Sequence, residues 1–157
     1  MYRLTRDWVR RRVADPVLAV LRIGVTPEKI ALSIAIGLVL GVFPVFGITT
    51  VLCLIAAFGL RLNVVVMELA NYLAYPLHIA LLVPFLRLGE RILRLDPIPI
   101  HLAAVKHQLA TDTWGAIIVF ARAEVRAIVG WLPVAPLAVA AIYFTLAPLL
   151  RRIPRAA

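Results

Sequence analysis

Acids, cysteine and soluble polar surface are what this chain of 157 residues lacks. Its single cysteine, Cys53, excludes an internal disulfide and any multi-cysteine metal site. Eight Asp and Glu stand against 17 Lys and Arg, for a net charge of +9. There are no paired acids, no Ser-His-Asp order and no phosphate-cradling glycine loop. His101 and His107 are spaced so that they do not share a helical face. Nothing in the sequence therefore points to an enzyme, a metal or a cofactor. Hydrophobic residues make up 63% of the chain and mean hydropathy is +0.97, against roughly 45–50% apolar in soluble domains. A soluble fold would lack the polar residues to cover such a core, so the expected solvent is the lipid bilayer. The basic residues flank apolar segments instead of forming one soluble face, which argues against nucleic acid as a partner. Asp15, Pro16 and Arg22 interrupt the apolar core that a signal peptide would need.

What is present is a series of apolar runs broken by helix-disrupting residues. The run 30–60 carries no charge, and "GVFPVFG" (41–47) lies at its middle. Pro44 removes a backbone donor and biases Phe43 away from helix, and Gly41 and Gly47 permit other conformations. Two half-helices are expected, about 30–41 and 48–60, starting from a Thr26 N-cap with Pro27 in the first turn. The second run, 62–86, repeats the design with a break near "NYLAYP" (71–76) at Pro76. Its polar residues are Glu68, Asn71 and His78. Glu68 is the one acid inside an apolar run, and such acids are costly and usually face a cavity or a partner. Asn71, one turn later, can donate to it. His78 reads either as a proton relay or as a hydrogen-bonded packing residue.

The whole chain, 1–157, reads as one all-α membrane domain: a small polytopic helical protein. A basic interfacial leader (1–25) precedes a core of two broken, optionally re-entrant segments (26–95). A linker and amphipathic helix (96–128) follow, then a C-terminal span with a basic tail (129–157), its ends marked by Trp131 and by Arg151, Arg152 and Arg155. Glu90 is expected to pair with Arg94, and Ser33, Gly37 and Gly41, spaced by four, to form a helix-packing face. Arg3, Arg6, Arg10, Arg11 and Arg12 place the N-terminus in the cytoplasm by the positive-inside rule, and can meet anionic lipids.

Buried irregular backbone at membrane depth recurs where transporters hold substrate. The putting together of two breaks makes Thr49, Thr50, Glu68, Asn71 and His78 the candidate polar site. The expected function is a small transporter or a translocase of lipid-linked carriers, in a homo-oligomer. The competing expectation is a non-catalytic membrane scaffold.

The stretch from Thr26 to Leu93 resembles the bacterial membrane family known as domain of unknown function 2062. The similarity is carried by "PEKIALSIAIGLVLGVFPVFGITTVLC", "LRLN" (60–63), "NYLAYPL" (71–77) and "PFLRLGE" (84–90). Glu68 and His78 depart from the uncharged amides expected at those positions. The resemblance implies a multi-pass protein of the bacterial inner membrane, associated with enzymes of envelope glycan synthesis.

Overall fold

The structure, a computed structural model, describes residues 26–98 and 113–152. The basic leader, most of the linker and Arg155 lie outside the described residues. Among those described there are five α-helices and no strand: α1 (Pro27–Gly41), α2 (Thr49–Leu60), α3 (Val64–Leu73), α4 (Tyr75–Leu93) and α5 (Thr113–Arg151).

The starts of α1 and α3 follow from their caps. Thr26 Oγ1 accepts from the Lys29 amide at 3.4 Å and Asn63 Oδ1 from the Val66 amide at 3.0 Å. Two other ends share a device that a glycine usually supplies. Arg61 and Arg94 both adopt a left-handed conformation (φ 53°), in the matching strings "LRLN" and "LRLD". In each, the next leucine amide reaches back to an orphan helical carbonyl: Leu62 to Ala57 at 2.8 Å, Leu95 to Glu90 at 3.0 Å.

α1 is the central helix, flanked by two stripes of small residues. Along one, Ser33, Gly37 and Gly41 meet α3, which runs parallel to it. A Cβ at Gly37 would collide with the Met67 carbonyl, and one at Gly41 would lie 2.7 Å from the Ala74 methyl and 2.8 Å from the Asn71 carbonyl oxygen. Gly41 is thus the last helical residue, and its missing side chain serves close approach, as the expected packing face at 33, 37 and 41 requires, more than it loosens the turn. Along the other stripe, Ala31, Ala35 and Val39 are buried on the side of α5. α5 runs antiparallel to α1, tied by Arg151 Nε to Glu28 Oε1 (2.7 Å) at one end and by Trp131 Nε1 to the Val39 carbonyl (3.2 Å) at the other.

α2 returns to the end where α1 began: Lys29 Nζ donates to the Arg61 carbonyl at 3.2 Å, and the Asn63 amide to Ser33 Oγ at 3.1 Å. Residues 27–60 are therefore a helical hairpin with its turn at 42–48. α3 and α4 meet at Ala74 with a bend of 63°. α4 then packs antiparallel on α5 with backbone touching backbone, since a Cβ at Gly89 would strike the Arg126 carbonyl and one at Gly130 the Phe85 carbonyl.

Three expectations need correction. The amphipathic helix and the C-terminal span are one helix, α5, which passes through Pro133, Pro136 and Pro148. Trp131 is not at a helix end; it lies within α5, half-buried, with its ring edge-on to Phe43 at 5.0 Å. Glu90 is buried and pairs with Arg87 (2.8 Å) and, from α5, Arg126 (3.5 Å) instead of Arg94. Burial explains the choice, because a carboxylate 3% exposed needs inward-facing partners. Glu90 also accepts from the Ile98 amide at 2.7 Å, while Arg126 donates to the Asp96 carbonyl at 2.9 Å, and the segment after α4 is clipped to α5.

Among the described residues one helix, spanning Trp114–Arg151, is long and apolar enough to cross a membrane; α3 and α4 pass the same test only when taken together as a bent pair.

Candidate functional site at the helix breaks

The two breaks lie side by side, and each helps to satisfy the other. α1 ends inside the bundle, where its last carbonyls have no helical donor. Three of them are met: Val39 by Trp131, Leu40 by the Phe43 amide at 3.0 Å, and Gly41 by His78 Nδ1 at 2.9 Å. A carbonyl can only accept, so Nδ1 of His78 carries the proton. His78 is 2% exposed, and its Nε2 is buried with no partner among the described residues. Phe46, from the hairpin turn, lies over the ring at 4.5 Å, and Tyr75 is 6.1 Å away. The packing reading of His78 is the one its surroundings favour.

The turn itself is irregular. Pro44 is fully buried, the Val45 amide bonds back to the Phe43 carbonyl at 2.8 Å, and Gly47 has φ +82°, a conformation that suits glycine. No side chain caps α2, whose first backbone closure is Leu52 to Ile48 at 3.0 Å. Pro76 occupies the first turn of α4, so the direction change falls at Ala74 instead of at the proline. Lacking an amide, Pro76 leaves the Tyr72 carbonyl without its helical donor, which localises the bend.

Asn71 joins the hairpin to α3. It is 4% exposed, and Nδ2 donates to Glu68 Oε2 at 3.0 Å and to Thr50 Oγ1 at 3.4 Å. Glu68 Oε1 is buried without a partner among the described residues. Thr49 is partly buried in the first turn of α2, and no hydrogen bond joins it to this group. Of the five polar candidates, Thr50, Asn71 and Glu68 form one bonded chain, and His78 anchors the neighbouring end of α1. Cys53, fully buried one turn beyond Thr49, is a packing residue among Met67, Ala57 and Leu62.

The cavities beside the breaks are apolar. One of about 200 Å³ lies under the turn, between Pro44, Phe46, Leu82, Leu86, Phe120 and Ala127. A second, of about 170 Å³, separates α1, α4 and α5 at Leu38, Leu81, Trp131 and Val134. Among the described residues no three metal-ligating side chains come together.

Sequence reasoning missed Trp131, Glu90 with Arg126, and the Gly89–Gly130 crossing. The glycines at 89 and 130 are visible signals, but nothing in one sequence says that they face each other.

These features define an all-helical bundle with an apolar exterior, one clear candidate span and a polar chain at paired breaks. The chain belongs to the family described as an uncharacterized protein conserved in bacteria, domain of unknown function 2062, whose profile matches residues 10–157. Neither the curated proteins nor the solved structures contain a match.

Proposed function

We propose that this protein is a multi-pass protein of the bacterial inner membrane that moves a lipid-linked carrier through the site at its helix breaks. The membrane placement is supported by what the helices leave uncovered. Only 17% of the most apolar stretch of α5 is buried, whereas a core helix of a soluble protein hides most of its surface. Ile55, Phe58, Leu69, Leu73 and Leu137 are all more than half exposed, which suits lipid as the solvent.

Charge gives the orientation. The uncharged stretch 127–150 of α5 is about 36 Å long at 1.5 Å per residue, enough for roughly 30 Å of hydrocarbon. One end is marked by Glu28, Lys29, Arg61 and Arg151, the other by Arg87, Glu90 and Arg126. In this arrangement α3 and α4 form one bent span, α5 forms the second, and the α1–α2 hairpin enters from one side and returns. α1, at about 22 Å, is too short to cross. Both termini then share a side. Residues 1–61 and 151–157 carry eleven of the 17 Lys and Arg against three acids, and 87–126 carry six against four acids. The positive-inside rule makes the first side cytoplasmic.

The observation that carries the transport reading is the buried, unpartnered Glu68 Oε1 at the end of the Thr50–Asn71–Glu68 chain. An acid at membrane depth with a free oxygen is a binding position for a proton or a cationic group coupled to movement of the carrier. The competing reading, a scaffold for envelope-synthesis enzymes, is favoured by the mainly apolar cavities, in which Glu124 is the one charged lining residue.

The test is reconstitution of the full chain in vesicles holding a fluorescent polyprenyl phosphate, with an impermeant quencher outside. Transport predicts protein-dependent loss of the protected fraction. It also predicts roughly tenfold slowing by Glu68→Gln and by Asn71→Ala, as expected when a buried hydrogen-bonded group is lost. Movement no faster than in empty vesicles, with both variants as stable as the parent, would favour the scaffold.

A further inference from the structure

We propose that the groove between the end of α4 and the N-terminal part of α5 docks a single-chain lipid phosphate, its arginine rim holding the phosphate and its floor the first part of the chain. This rests on the lipid-linked carrier proposed above and adds a place, apart from the helix breaks, where that carrier is held. The groove has a volume of about 510 Å³, within the range of ligand pockets. Its walls are Leu93 and Leu95, either side of the α4 cap, and Ile118 and Val125 on α5, with Arg122 and Arg126 among them. The left-handed Arg94 builds the first wall. It turns the chain so that the Leu95 amide reaches back to Glu90, and Leu95 then faces the same groove as Leu93.

The charges around the groove are unequal. Arg126 is committed: its guanidinium faces Glu90 at 3.5 Å and donates to the Asp96 carbonyl at 2.9 Å. Arg122, one turn earlier on the same face, has no ion pair and no side-chain hydrogen bond among the described residues, and neither have Arg91 and Arg94 at the end of α4. Against these three guanidinium groups stands one exposed carboxylate, Asp96. Glu90 is matched by its own two arginines, and Glu124 lines the other cavity. What remains is positive charge over an apolar floor, the complement of a phosphate carried on a hydrocarbon chain. Position agrees with this, because the groove lies before residue 127, outside the uncharged stretch of α5. In the placement above it meets the headgroup layer. One groove seats one chain. A phosphate monoester, with a charge of about −1.5 to −2, also suits forked guanidinium donors better than the diester of an ordinary phospholipid.

The test is equilibrium binding of a fluorescent polyprenyl phosphate to the full chain in a neutral detergent, with the unfolding temperature showing that each variant is folded. Arg122→Gln should weaken binding about tenfold, as for the loss of a charge-assisted hydrogen bond. Val125→Trp, which fills the groove, should weaken it at least as much. Arg152→Gln, at an exposed arginine just beyond the other end of α5, should change it less than about twofold, since a distant charge is screened. Unlabelled polyprenol, phosphatidylglycerol and inorganic phosphate should each compete at least about tenfold more weakly than unlabelled polyprenyl phosphate. Equal competition by polyprenol would overturn the proposal, because the arginines would then read nothing. Equal competition by phosphatidylglycerol would overturn it too, since any anionic lipid would then cover this face. So would displacement by inorganic phosphate alone, or an effect of Arg152→Gln equal to that of Arg122→Gln. Binding in detergent requires no movement across a bilayer. A chain that binds the carrier through Arg122 but does not move it in vesicles would sink the transport reading and uphold the docking groove.

Discussion

At residues 42–48 the chain leaves the helix for a whole irregular turn and heads back to the end it came from. At Ala74 it swings by 63° while remaining helical on both sides. Each break has a proline close by, so proline alone does not set the outcome. The first has Gly47 at φ +82° just beyond Pro44 and a buried end of α1 that draws its donors from other helices. The second has no glycine, and no donor from another helix reaches its carbonyls among the described residues. Ala74 stays in the helical region and its amide still bonds to Ala70 (3.0 Å) and Asn71 (3.2 Å). A proline bends a helix; a proline with a left-handed residue and outside donors lets it reverse.

Gly41→Leu should do most to separate the breaks, because the new side chain must enter space held by Ala74 and the Asn71 backbone. A loss of about 3 kcal/mol or more is expected for overpacking at a backbone contact. Because Cys53 is fully buried, a thiol-reactive dye reports unfolding in detergent. The dye should enter this variant at a markedly lower temperature.

His78→Ala removes the donor to Gly41 and the surface under Phe46, for an expected cost of roughly 2–3 kcal/mol. It should loosen the hairpin turn while leaving the α3–α4 bend in place. Spin labels at positions 46 and 75 would show the broadened distance; an unchanged distance would refute the anchoring role.

Pro76→Ala restores an amide to the Tyr72 carbonyl. It should narrow the 63° bend at a change of about 1 kcal/mol or less, measured by the distance between labels at 66 and 92. Pro44→Ala should leave the turn open, because Gly47 and the anchors of α1 remain. Closure of the hairpin turn into continuous helix by this single change would erase the distinction drawn between the breaks.

The smallest effect lies at the hairpin's open end. The backbone amide of Glu28 itself and then the Arg151 guanidinium hold its carboxyl below the usual range. A lowered folded value means that the contribution is present above the unfolded value and disappears as pH falls through the lowered one. Glu28→Gln should therefore remove a small pH dependence on the acid side and leave stability at neutral pH nearly unchanged, since exposed pairs contribute little.

Much of the hairpin is legible from residue type: the Thr26 cap, Pro44 with Gly47, and Asn71 one turn from Glu68. These are local signals, fixed by neighbours within one helical turn. Partners from distant segments are not legible. Trp131 reads as a membrane-boundary residue because tryptophan prefers that position, yet its indole N–H is used on Val39. Glu90 had a helical neighbour of the right charge in Arg94, but that residue adopts the left-handed cap conformation. The continuity of α5 was hidden because Arg122, Glu124 and Arg126 stop just before its uncharged run, so one helix reads as an amphipathic piece and a span.

The tie between Lys29 and the Arg61 carbonyl has a consequence for how such a chain is made. A hairpin whose two ends share one face of the bilayer can be pushed in from that face as a closed unit. No charged or solvated segment between residues 30 and 60 has to be carried across. In the topology proposed above, a hydrophilic stretch that has to be exported is the connection from α4 to α5. At its two ends Arg87 of α4 and Arg126 of α5 clasp Glu90, which also accepts from the Ile98 amide, and a biogenesis defect is expected to arise there and not in the apolar hairpin.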